Sequence, residues 1–88
     1  MEVNGAANMY RPKNFSDIAE PFFELSDREQ QVITLVCDGL SNKDIAAKLG
    51  VTEGTVKAHL HSIFEQLDVQ SRIELMIALK GREHDEAR

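Results

Sequence analysis

Gly54, Lys57, Ala58, His61 and Glu65 share one face of the segment 53–67 if that segment is helical. Val56, Leu60, Ile63 and Leu67, spaced i, i+4, i+7 and i+11 with Phe64 beside them, claim the other face. The first set consists of short or hydrogen-bonding side chains, with no bulky apolar group that needs burying. A face of that kind can enter a groove and offer hydrogen bonds to its walls. Other chemistries find no support. His59 and His61 stand i and i+2 on a helix and point apart, so this pair does not chelate a metal. Cys37 falls one turn after Ile33 on an apolar stripe and is expected in the core, where a thiol is inert. No constellation supports catalysis, and neither a cofactor nor a metal is expected.

The elements that must position this face announce themselves through caps and stops. Ser26-Asp27-Arg28-Glu29 is a capping box, so a helix is expected over about 27–38. Its apolar stripe is Val32, Ile33, Leu35, Val36 and Cys37, and Gly39 supplies the stop. Ser41 opens a short second helix with Asp44 in its first turn, Ile45, Ala46 and Leu49 facing inward, and Gly50 ending it. Only Val51 separates Gly50 from the next cap, Thr52, which forces a sharp crossing of the kind found in a helix-turn-helix. A connection through Asp68, Val69 and Gln70 leads to Ser71, a cap with Glu74 at its third position, and to a last helix over about 72–80. The fold class is therefore all-α, a four-helix helix-turn-helix domain over 25–82.

The last predicted helix is apolar on two sides. Ile73, Met76, Ile77 and the stem of Lys80 cluster on one face, whereas Leu75, Ala78 and Leu79 point roughly the opposite way. One face can pack inward while the other seeks a partner. A core this small rarely supplies more than ~3 to 5 kcal/mol, so pairing would help. A symmetric dimer is expected, with Ile73, Met76, Ile77 and Lys80 as its interface.

The chain has 88 residues with 42% apolar and 28% charged residues, enough for one small globular unit. Its net charge of -5 argues on its face against a polyanionic partner. The distribution alters that conclusion. Residues 1–24 hold two basic residues against four acidic ones, and 83–88 hold one against three. The patterned stretch 25–82 has seven against eight and is close to neutral. Residues 1–24 show no sustained period and contain Asn-Gly, Arg-Pro and Glu-Pro punctuation, so they read as a flexible leader. Within it, Phe22 and Phe23 either fold back onto the domain or dock a partner. The segment 83–88 reads as a frayed acidic tail. The longest apolar run, Leu75 to Leu79, is far short of the ~20 residues of a membrane span, and the N-terminus lacks a secretory h-region. A single cysteine fits a reducing compartment. The expected location is the cytoplasm, with no membrane partner.

Taken together, Leu25-Ser-Asp-Arg-Glu-Gln-Gln-Val-Ile, Gly39-Leu-Ser-Asn-Lys-Asp-Ile-Ala, Leu49-Gly-Val-Thr, Thr55-Val-Lys-Ala-His-Leu, Ile63-Phe and Leu67-Asp-Val-Gln-Ser-Arg resemble the LuxR/FixJ-type (GerE-like) helix-turn-helix domain of bacterial transcription regulators. The similarity runs without a gap over about 25–80. It implies a third helix that enters the DNA major groove and a fourth that mediates dimerisation. It places base contacts at Lys57, Ala58 and His61. It places phosphate-backbone contacts at Thr55, His59, at Ser41, Asn42 and Lys43, and at Gln70, Ser71 and Arg72. Helix starts suit that role, because their backbone amides attract phosphates while only groove-facing groups read bases. Arg72 has a second reading, as a structural ion pair with Glu29 or Glu74. Gln66 stands where the family usually carries Lys, and position 61 is often more basic than His. Both departures reduce phosphate attraction. Affinity should then be modest and steeply salt-dependent, and protonation of His61 should strengthen it at lower pH.

These features lead to two expectations of different class. The first is a dimeric, sequence-specific regulator of transcription that binds double-stranded DNA, is not an enzyme, and takes RNA polymerase or a larger family member as a further partner. It is either a stand-alone regulator or an excised effector domain. The alternative is a protein-interaction adaptor or antagonist that forms mixed dimers with larger LuxR-type regulators, its acidic flanks discouraging DNA binding.

Overall fold

Among the described residues five helices follow one another, each begun by a polar cap and most ended by a residue that can leave the helical region. The computed structural model describes residues 13–86, with side chains described through residue 81. The helices are α1 (Phe15–Glu24), α2 (Asp27–Cys37), α3 (Asn42–Leu49), α4 (Glu53–Leu67) and α5 (Arg72–Glu86). No strand occurs among the described residues.

Helix α1 corrects the expectation of a flexible leader over 15–24, while residues 1–12 lie outside the described residues. Asn14 accepts from the Asp17 backbone N–H at 3.1 Å, and the Asp17 carboxylate accepts from the Asn14 N–H at 3.0 Å. This reciprocal box satisfies two helix-start donors. Ile18 and Phe22, one turn apart, are buried on the face that α1 lays against α4 and α5. Phe22 thus folds back onto the domain, whereas Phe23 is 61% exposed. The rings of Phe15, Phe22 and Phe23 meet edge to face, with centroids 5.2 to 6.0 Å apart. Helix α5 meets the start of α1 at Gly81, where a Cβ would lie at an ordinary contact distance of 3.5 Å from the Phe15 backbone nitrogen. Lys13 reaches Asp68 at 3.4 Å and ties the start of α1 to the end of α4.

The last three of the four connections share one device. Leu40 N–H reaches back to the Leu35 carbonyl, Val51 N–H to Ala46 and Val69 N–H to Phe64, each across a residue with positive φ. These are Schellman closures, and they use the last carbonyls of α2, α3 and α4. Gly39 and Gly50 take the left-handed conformation readily, while at the third closure Asp68 does so at φ 55°. The Gly50 closure turns α3 sharply into α4.

The core gathers Val32, Ile33 and Val36 from α2, Ile45 and Ala46 from α3, Val56, Leu60, Ile63 and Leu67 from α4, and Leu75, Ala78 and Leu79 from α5. Two further expectations are corrected here. Cys37 is exposed, because the α2 core direction is set by Val32, Ile33 and Val36 and Cys37 sits roughly 95° away from it at 100° per residue. Helix α5 does not stop near Lys80 but continues to Glu86, so the segment 83–86 is helical where a frayed tail is expected. Residues 87 and 88 lie outside the described residues. Among the described residues, no helix is long and apolar enough to cross a membrane.

Candidate nucleic-acid interface

Helix α4 carries the candidate face, and its orientation follows from its other side. Val56, Leu60, Ile63 and Leu67 are buried, which turns Lys57, Ala58 and His61 outward, all three exposed. Thr55 and His59 are partly buried at the margins of that face. The start of α4 is fixed by Thr52, whose hydroxyl accepts from the Thr55 N–H at 3.1 Å and lies 3.0 Å from the Thr55 hydroxyl. Thr55 is therefore engaged in the cap as well as placed at the rim.

Helices α3 and α5 begin beside this face. Ser41 caps α3 by accepting from the Asp44 N–H, and Ser71 accepts from the Glu74 N–H at the start of α5, both at 3.1 Å. Each hydroxyl keeps its own proton for an external acceptor. The carboxylate of Glu74, itself buried, accepts from the Gln70 N–H at 2.7 Å, so the backbone amide of Gln70 is already used. Asn42 is partly buried, and Ser41, Lys43, Gln70 and Ser71 are exposed. Asn42, Lys57, Leu60, His61, Phe64 and Arg72 line one shallow hollow of about 380 Å³, which brings the starts of α3 and α5 to the outer face of α4.

Arg72 pairs with neither acid that the sequence offered. It donates to the Leu40 carbonyl and, at 2.8 Å, to the Asn42 Oδ1. The Leu40 carbonyl leaves no trace in a sequence, since every residue carries one. Gln66 also has a local role: it donates to Ser62 Oγ at 2.9 Å and to Glu29 Oε2 at 3.3 Å. Burial pushes the Glu29 carboxyl up, but hydrogen bonds from the Ser26 backbone, Ser62, Gln66 and the Ser26 hydroxyl outweigh it and hold the group below its ordinary value. The position that would bear a phosphate-seeking Lys in the family thus braces α4 against α2.

The electrostatics are mixed. His61 Nε2 lies 3.3 Å from the Glu65 carboxylate one turn on, so an imidazolium there shares its charge with that acid. Lys43 and Lys57 stand exposed as cations, and Asp44, Glu53 and Glu65 are exposed on the same two helices. Among the described residues, no group of three or more His, Cys, Asp or Glu could hold a metal.

The proposed pairing face is equally visible. Ile73 is 68% and Ile77 48% exposed, while Leu75 and Ala78 are fully buried, which settles which side of α5 packs inward. Met76 is half-buried against the core, and Lys80 is exposed. Cys37, Ile73, Met76, Ile77 and Lys80 line a groove of about 330 Å³.

A short α3 turned sharply into a longer α4 that exposes Lys57, Ala58 and His61 defines a helix-turn-helix domain. Residues 24–79 match the family described as bacterial regulatory proteins, luxR family, and the chain belongs to that family. It is 36% identical over 80 residues to the transcriptional regulatory protein DesR of Bacillus subtilis (strain 168), covering 91% of this chain and 40% of that protein. It is 40% identical over 81 residues to the oxygen regulatory protein NreC of Staphylococcus epidermidis, covering 91% of this chain and 37% of that one. The chain thus spans about two fifths of the length of these relatives. Among solved structures it is similar to the response regulator StyR, with a TM-score of 0.68 and 42% identity, covering 74% of this chain and 33% of that one.

Proposed function

We propose that this chain is a sequence-specific DNA-binding regulator of transcription that lays α4 in the major groove. In this reading Lys57, Ala58 and His61 meet base edges. Ser41, Asn42, Lys43, Thr55, His59, Gln70 and Ser71 meet the phosphate backbone, and a second copy packs on Ile73, Met76, Ile77 and Lys80. One observation carries it: Lys57, Ala58 and His61 stand exposed on the outer face of α4, beside a hollow that is shared with the starts of α3 and α5 and floored by Leu60 and Phe64. Membership of a family of bacterial regulatory proteins supports the regulatory role. A two-fold dimer reads two related half-sites about one helical turn apart, so the expected site is a short imperfect palindrome. Selection from a pool of random duplexes at low salt, followed by a salt titration of the winner against a scrambled duplex, tests this. Enrichment of a palindrome that outcompetes the scramble near physiological salt is the expected result. A folded sample that enriches nothing contradicts it.

The exposed pair Ile73 and Ile77 on a chain of net charge -5 also favours a second reading, an adaptor that forms mixed dimers with larger relatives. The full chain separates the two, because the acids of 1–24 other than Glu2 lie in α1, whose Ile18 and Phe22 belong to the core. A folded chain that ignores DNA at low salt yet pairs with a larger family member supports the adaptor.

A further inference from the structure

We infer that Arg72 is a positioning residue for DNA binding: it sets the Asn42 carboxamide as a donor and is not itself the phosphate contact. The inference rests on the DNA-binding reading and deepens it. Arg72 is the first residue of α5, yet its guanidinium reaches across to the turn before α3. One terminal nitrogen donates to the Leu40 carbonyl and the other to Asn42 Oδ1. Leu40 is the residue whose N–H closes the end of α2, and Asn42 is the first residue of α3. The fork therefore fastens the start of α5 to the joint between α2 and α3.

The chemistry of the pair fixes the orientation of Asn42. A guanidinium has five donors and no acceptor, so the amide atom facing it must be the oxygen. The NH2 group then lies on the other side of the carboxamide carbon. Asn42 lines the hollow that also contains Lys57 and His61. A phosphate oxygen entering there meets a donor that needs no rearrangement. Arg72, partly buried at the edge of the same hollow and with one N–H of each terminal nitrogen given to Leu40 and Asn42, holds that geometry.

A lysine at 72 keeps the charge but has one nitrogen and cannot bridge two acceptors as the planar fork does. A direct phosphate contact survives Arg72→Lys in large part, because either residue neutralises a phosphate. A positioning role does not survive it. The experiment measures binding of the full chain to its selected duplex and to a scrambled one, for wild type, R72K, N42A and R72K/N42A, across a salt series. The expected result is a loss of about tenfold for R72K on both duplexes, roughly the worth of one charge-assisted hydrogen bond. The slope of log K against log salt stays as in wild type, and N42A adds less than about twofold in the R72K background. R72K binding within about twofold of wild type, or losses that multiply in the double variant, overturns the inference. If the wild type binds no duplex, the DNA-binding reading has failed, and with it the proposed role of Asn42. The fork itself is then judged in the free protein by hydrogen exchange. R72K, shown folded by circular dichroism, should lose protection at the Asp44 and Ile45 amides of α3, and unchanged protection overturns the fork too.

Discussion

Replacing Ile18 by Ala asks whether α1 is part of the folded unit. Ile18 is fully buried and contacts the core that α4 and α5 build. An Ile to Ala change at a buried site costs about 2 to 5 kcal/mol, from lost transfer energy and from the cavity that remains. A domain of this size has about 4 to 11 kcal/mol in total at the usual stability per residue. A loss near ~3 kcal/mol is therefore a large fraction of the whole, and the melting temperature should fall by about 10 to 25 °C. Urea unfolding followed by far-ultraviolet circular dichroism reads it, with Phe23→Ala as the comparison. Phe23 is 61% exposed, so its truncation loses mainly edge-to-face ring contacts, about 1 kcal/mol. Midpoints for Ile18→Ala and wild type that agree within about 0.5 kcal/mol would refute the reasoning and return residues 15–24 to a leader.

Three further outcomes follow from local geometry. Glu65→Gln removes the acid that faces His61 on α4, so DNA affinity should rise by about two- to fivefold at low salt and the gain should fade at high salt; an affinity loss contradicts it. Glu29, whose carboxyl is held below its ordinary value of 4.5, stabilises the fold above that pH and loses this contribution as pH falls through its lowered value. Denaturation midpoints of wild type and Glu29→Gln should therefore differ at pH 7 and converge as the pH is taken down past the ordinary carboxyl value of 4.5, and a gap independent of pH contradicts that account. Gly81→Ala should stabilise by about 0.5 to 1 kcal/mol, because a Cβ there meets Phe15 at an ordinary 3.5 Å and alanine favours the helix. Gly81→Leu should instead displace α1, visible as a lower melting temperature.

The helices from α2 to α4 were legible because each carries its own punctuation: Ser26, Ser41 and Thr52 as caps, Gly39 and Gly50 as stops, and a clean apolar period between them. Their observed bounds fall within a residue or so of those expected. Helix α1 hid behind Pro21, which sits inside it, and behind a stretch too short to show a sustained period. Asn14 with Asp17, followed by Ile18 and Phe22 one turn apart, was the signal available. On α5 both faces looked apolar, and only packing decided that Leu75, Ala78 and Leu79 turn inward. Cys37 shows the limit of a one-turn spacing argument, since a residue at the edge of a stripe on the last turn of a helix can open to solvent. The candidate site divides the same way. Side chains on the outer face of α4 follow from periodicity, whereas the Arg72 fork ends on a backbone carbonyl that no residue type marks.

The most direct test of the account is the base preference of Lys57→Ala. Lys57 is exposed at the centre of the outer face of α4, at the hollow shared with Asn42 and Arg72. Binding of wild type and Lys57→Ala is measured on the selected palindrome and on its single-base variants at one fixed salt concentration. The account predicts a loss of about 1 to 3 kcal/mol on the palindrome together with relaxed preference at one base pair in each half-site. An equal loss on every duplex would make Lys57 a phosphate contact, and no loss on any would contradict the placement of α4 in the groove.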